Sequence, residues 1–83
     1  MFSPVSHVDD LQFQKSLGER IRTLRLEHGL TQGELGDMCE MEKTGISRIE
    51  TGRTNPTILT LRKISLALGI ELTELLNMPA NNG

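Results

Sequence analysis

Three glycines, Gly29, Gly52 and Gly69, each close a stretch in which apolar residues recur every three or four positions. Glycine enters the left-handed conformation that ends a helix without steric cost, and a repeat near 3.6 marks one face of a helix. Together these features confine the chain to short helices separated by tight turns. Thirteen Leu against two aromatics, Phe2 and Phe13, favour helix over strand in the same sense. With 83 residues there is room for one core, and the expectation is an all-α, five-helix bundle.

The first helix is expected from about Asp9 or Asp10 to Glu27, with Phe13, Leu17, Ile21 and Leu24 facing inward. Thr31 opens the second: Thr31-Gln-Gly-Glu34 is a capping box, Leu30 and Leu35 fit a hydrophobic staple, and Leu35, Met38 and Cys39 form the buried face. After a turn at Glu40-Met41-Glu42, a third helix over 43–50 carries Ile46 and Ile49 inward. Asn55 as N-cap and Pro56 at the first helical position predict a fourth helix reaching about Leu68. Its apolar residues fall into two sets, one of Ile58, Leu61, Ile64 and Leu68 and another of Leu59 and Leu66. A short fifth helix over about 72–77 follows. Residues 1–8 are expected to be a flexible arm, 9–78 the folded domain and 79–83 a disordered tail.

Most chemistries find no foothold. One cysteine, Cys39, and two histidines, His7 and His28, build neither a disulfide framework nor a zinc site, so a reducing cytoplasm fits and no metal or cofactor is expected. Cys39 lies on an apolar stripe and reads as a small core residue, while His28 suits a helix C-terminus. Gly29, Gly33 and Gly36 lack the spacing of a nucleotide-binding loop, and no nucleophile or acid–base constellation emerges, so an enzyme is not expected. The N-terminus has no secretion signal and no segment approaches the roughly 20 apolar residues of a membrane span.

Two short helices joined by a tight turn match the helix-turn-helix arrangement, whose second member enters the DNA major groove. The runs Ile21-Arg-Thr-Leu-Arg25, Gly29-Leu-Thr-Gln32-Gly-Glu-Leu35, Ile46-Ser-Arg-Ile-Glu50-Thr-Gly52, Asn55-Pro56 and Leu61-Arg-Lys-Ile64-Ser-Leu-Ala-Leu-Gly69, in that order and spacing, closely resemble the Cro/repressor-type helix-turn-helix family. The resemblance spans about Leu17 to Asn77. It implies a five-helix domain that binds double-stranded operator DNA, usually as a two-fold dimer, in a bacterial or phage transcriptional regulator. The small size is similar to restriction-modification controller proteins and small phage repressors.

Carried onto this sequence, the resemblance assigns Gln32 to a DNA phosphate, and Lys43, Thr44, Ser47 and Arg48 to base edges. Those four lie at i, i+1, i+4 and i+5 on one polar face opposite Ile46 and Ile49, and Lys43 and Arg48 can donate to guanine O6 and N7. Thr51, Arg53, Asn55 and Thr57 resemble the loop that grips the sugar-phosphate backbone through N–H groups, hydroxyls and one cation. Arg25 and Glu50 match positions that in phage repressors of this family form a buried ion pair. Gly45, costly within a helix by about 1 kcal/mol, suits either close approach to DNA or close packing on the second helix.

The sequence departs from the family at the turn. Gly36 stands where Ala is frequent, Glu40 where Gly is frequent, and Glu42 replaces a better N-cap, its carboxylate opposing DNA unless it pairs with Lys43 or Arg48. The scarcity of aromatics disfavours single-stranded nucleic acid, whose readers stack bases on aromatic side chains. Surplus apolar residues, Leu59, Leu66, Ile70, Leu72, Leu75, Leu76 and Met78, suggest a homodimer contact. A two-fold dimer places recognition helices roughly 34 Å apart on a near-palindromic operator. The alternative is an antitoxin-type module whose apolar surface binds a toxin, and RNA polymerase is another possible protein partner. The net charge of −2 is unevenly placed: Lys15 to Lys63 carry +2, while Asp9, Asp10, Glu71 and Glu74 carry −4 on the flanks. The acidic pI of about 5.6 therefore does not exclude a DNA-binding face.

Overall fold

The computed structural model describes residues 7–78, so the arm over 1–6 and the tail over 79–83 lie outside the described residues. Five helices follow one another: α1 (His7–Glu27), α2 (Gln32–Met38), α3 (Lys43–Glu50), α4 (Ile58–Ala67) and α5 (Leu72–Leu75). No strand occurs among the described residues. α1 begins two residues earlier than the sequence suggests, with Asp9 and Asp10 in its first turn, where negative charge favours the helix dipole.

Four of the five helices end the same way. In α1, α3 and α4 the glycines Gly29, Gly52 and Gly69 adopt φ of 68°, 74° and 69°. The residue after each donates its N–H back five positions, Leu30 to Arg25 O, Arg53 to Arg48 O and Ile70 to Ser65 O. This Schellman arrangement satisfies carbonyls that a helix end would otherwise leave unpaired. α2 ends identically, with Met41 N–H donating to Gly36 O, but its left-handed residue is Glu40, the one non-glycine among the described residues with positive φ.

The core joins Leu17, Ile21 and Leu24 of α1 to Leu35 and Cys39, to Ile46 and Ile49 of α3, to Leu61, Ile64 and Leu68, and to Leu75 of α5. Each buried Leu or Ile contributes about 1.5–3 kcal/mol through removal of apolar surface from water. α2 packs against α3, α1 against α3, and α4 against α5 and α2. Arg20 of α1 adds a polar tie, donating from Nη2 to the Glu74 carbonyl at 2.9 Å.

Several expectations need correction. Phe13, Met38 and Ile58 lie on the predicted apolar faces yet are more than half exposed, because no element among the described residues covers those ends of the faces. Phe13 instead lines a groove with Leu17, Pro56, Leu61 and Leu76. The N-cap of α4 is Thr57, not Asn55: its hydroxyl oxygen accepts the Thr60 N–H at 3.1 Å, so Pro56 stands before the helix and packs into that groove. Leu75 is fully buried and has no surface to offer a second chain, while Ile70, Leu72, Leu76 and Met78 are half-buried against the core. Only Leu59 and Leu66 of the proposed dimer set are widely exposed, at 66% and 65%.

Candidate nucleic-acid interface

α2 is fixed at its start by the capping box read from the sequence. Thr31 Oγ1 accepts the Glu34 N–H at 3.0 Å, and Glu34 Oε1 accepts the Thr31 N–H at 2.8 Å. Leu30, half-buried against the core, supports the same turn. Between α2 and α3 the chain passes so close to α2 that a Cβ on Gly36 would lie 2.6 Å from the Met41 carbonyl oxygen. Glycine is therefore required at position 36. At Gly45 a Cβ would meet only the Met41 methyl group, at 3.1 Å, so the packing against the turn makes a mild demand for glycine there.

α3 buries Ile46, Ile49 and Glu50. On its other side Lys43, Thr44 and Arg48 are exposed and Ser47 is half-exposed, the shared face the sequence assigns to bases. In the loop that follows, Thr51, Arg53, Asn55 and Thr57 are exposed while Gly52, Thr54 and Pro56 turn inward. All four expected backbone-gripping residues thus lie on the outside of one short segment. The backbone N–H groups of Thr51, Gly52 and Arg53 are already donated to Ser47, Ile49 and Arg48 carbonyls. The Thr51 hydroxyl donates to Ser47 O at 2.9 Å, and the Thr57 hydroxyl serves α4 as its cap. The three N–H groups over 51–53 are thus used within the protein, which leaves the side chains and the rest of the loop as the outward-facing donors.

Beneath this surface Arg25 and Glu50 form the expected ion pair. Arg25 Nε donates to Glu50 Oε2 at 2.6 Å and Nη2 to Oε1 at 3.0 Å, with both residues buried. The hydrogen bond to Glu50 holds the Arg25 guanidinium pKa above its ordinary value, with burial opposing the shift. Gln32 donates from Nε2 to Glu50 Oε1 at 3.1 Å, joining the pair as a third member. Lys43, Arg48 and Arg53 form no ion pair among the described residues, and Glu42 pairs with neither Lys43 nor Arg48. Glu42 also caps α3 without a side-chain hydrogen bond.

Two positioning residues escape the sequence reading. A Cβ on Gly18 would lie 2.4 Å from the Ile49 carbonyl oxygen and 2.5 Å from that of Glu50, so α1 admits the end of α3 only because residue 18 is glycine. Gln14, one turn earlier, donates from Nε2 to Gly52 O and Thr54 O, both at 3.3 Å, and so holds the following loop. Their four-residue spacing on the buried side of α1 is the only local signal they leave. Among the described residues no cluster of ligating side chains could hold a metal, and no helix is long and apolar enough to cross a membrane.

A capped helix, a tight turn and a second helix with a solvent-facing basic and hydroxyl surface define a helix-turn-helix module. The helix-turn-helix (HTH_3) family matches residues 21–75. The HTH-type transcriptional regulator y4dJ of Sinorhizobium fredii is 37% identical over 65 residues, which cover 78% of this chain and 84% of that protein. The restriction-modification controller protein C.AhdI from Aeromonas hydrophila superposes with a TM-score of 0.78 at 30% identity, covering 81% of this chain and 97% of that one. The P22 c2 repressor, in complex with a synthetic operator, superposes with a TM-score of 0.68 at 34% identity over 74% of this chain and 92% of that one. Some relatives are longer: the chain spans 40% of the immunity repressor of Bacillus phage phi105 and 34% of the regulator PuuR of Escherichia coli. The chain belongs to the helix-turn-helix family, and its class is the DNA-binding transcriptional regulator of repressor and controller type.

Proposed function

We propose that this chain is a sequence-specific reader of duplex DNA that lays α3 in the major groove and acts as a dimer on a near-palindromic operator. The observation that carries this reading is the division of α3 and its loop into two sides. Ile46, Ile49 and Glu50 are locked inward, while Lys43, Thr44, Ser47, Arg48 and then Thr51, Arg53, Asn55 and Thr57 share the outside. Lys43 and Arg48 donate to base acceptors, for which guanine O6 and N7 are the natural partners. Gln32, Arg53 and Asn55 serve phosphates, as do Thr51 and Thr57 once their hydroxyls turn away from Ser47 O and the Thr60 hydroxyl; these contacts set register and carry no sequence information. Their unpaired cations supply the salt-dependent part of the affinity. Glu42, unpaired and adjacent, subtracts from it.

Leu59 and Leu66, seven residues apart on one face of α4 and both widely exposed, support a dimer contact centred there. The half-buried Ile70, Leu72, Leu76 and Met78 form its margin. Selection of bound duplexes from a random pool at about 150 mM salt tests the central claim. Enrichment of a two-fold motif is expected, with base preference relaxed by Lys43→Ala and by Arg48→Ala; an unenriched pool rejects specific recognition. Light scattering at micromolar concentration tests the dimer, which Leu59→Glu with Leu66→Glu should dissociate.

A further inference from the structure

The buried ion pair does more than join α1 to α3. Glu50 Oε2 is occupied by Arg25 Nε, whereas Oε1 accepts from both Arg25 Nη2 and Gln32 Nε2. Arg25 also donates from Nη1 to the Leu30 carbonyl at 2.7 Å, on the strand of backbone that enters α2. The backbone leading to Gln32 and the end of its side chain are thus anchored to one buried centre. A pair serving only to connect helices would need neither bond.

The chemistry of the amide gives that anchor a purpose. A carboxamide carries an acceptor oxygen and a two-proton NH2 group, and a half-turn about its last torsion exchanges them. An ionised carboxylate only accepts, so Glu50 selects the orientation with nitrogen toward it. One amide proton is then used and the second remains. Phosphate oxygens also only accept, so a DNA phosphate lying beside that nitrogen is served by the second proton. Glu50 is neutralised by Arg25 and its side chain is 1% exposed, so the anchor adds no net negative charge near the phosphate.

We infer that Glu50 is a positioning residue for DNA, holding the Gln32 amide with an N–H ready for a backbone phosphate. The inference rests on the proposed Gln32 phosphate contact and deepens it. Arg25 acts with Glu50 as one neutral, preorganised unit. Ordering a flexible side chain before binding removes a cost of about 0.5–1.5 kcal/mol, equivalent to roughly two- to ten-fold in affinity.

The test uses the selected operator carrying one methylphosphonate at a time, which removes a single phosphate charge. In the native protein, one position should lose its effect on affinity when Gln32→Ala is introduced. Arg25→Met/Glu50→Met replaces both charges with apolar groups of similar reach, a change that folded proteins tolerate. This variant should keep its thermal midpoint, lose about five-fold in affinity, and become insensitive to the same methylphosphonate. Retained sensitivity at that phosphate in the folded double variant overturns the positioning role. If no phosphate responds to Gln32→Ala, the contact itself fails, and the inference falls with it. Should the double variant not fold, relaxation of the Gln32 side-chain amide in the free native protein decides. An order parameter near the rigid value of about 0.85 supports the anchor, and one below about 0.6 overturns it.

Discussion

The two ends of α3 are held in opposite ways. At its C-terminal end, Gly18 lets α1 into contact, Gln14 holds the next loop, Gly52 closes the helix, and buried Arg25 with half-buried Gln32 fixes Glu50. At its N-terminal end, Glu42 provides no cap bond and the preceding turn forces Glu40 into a left-handed conformation. Local free energy is therefore concentrated where α3 meets the body of the domain. The end bearing Lys43 and Thr44 is the less constrained one, and in a DNA reader that end must adapt to base edges.

The largest effect should come from the constrained end. Arg25→Ala leaves Glu50 buried without its partner and is expected to cost about 3–5 kcal/mol in urea unfolding. A loss below 1 kcal/mol would show that the C-terminal end does not depend on the pair. Gly18→Ala drives a methyl group into two carbonyl oxygens that no side-chain rotation can move, and should cost up to about 3 kcal/mol by the same measurement. An unchanged midpoint would show that α1 and α3 can separate without penalty.

At the other end the sign reverses. Glu40→Gly removes the steric cost of a left-handed residue, while the exposed Lys63–Glu40 ion pair at 3.7 Å contributes little, so a gain of about 0.5–1 kcal/mol is expected. A loss would mean that the turn is not strained. The smallest effect concerns Cys39, at the end of α2. Burial raises its thiol pKa, with nearby Lys63 opposing, so the folded state holds the proton more tightly than the unfolded chain. Its contribution is complete below the ordinary thiol pKa and declines as pH rises toward the folded value. The stability difference between the native protein and Cys39→Ala should therefore narrow in alkali; a constant difference would contradict the assigned burial effect.

What the sequence discloses divides along a similar line. The Thr31–Glu34 capping box and the glycine stops are local signals, and each appears in the structure as read. The solvent-facing positions of α3 are equally legible, because one period separates Ile46 and Ile49 from Lys43, Ser47 and Arg48. Periodicity marks a face but not whether anything covers it, which is why Phe13, Met38 and Ile58 are exposed. Two cap candidates flank Pro56, and the choice of Thr57 depends on where the preceding loop packs against α1. Gly18 and Gln14 are legible only once α1 meets residues more than thirty positions away. Gln32 likewise shows its carboxylate partner only when Glu50 is brought beside it.

The exchange at the turn also limits how this sequence can vary. Gly36 is immovable while the Met41 carbonyl sits 2.6 Å from its would-be Cβ, and that carbonyl is held by a turn whose pivot is Glu40. Alanine at position 36 requires that carbonyl to move, and glycine at position 40 would give the pivot more freedom to let it. The two sites are thus expected to be coupled, with Gly36→Ala costing less stability in the Glu40→Gly background than alone.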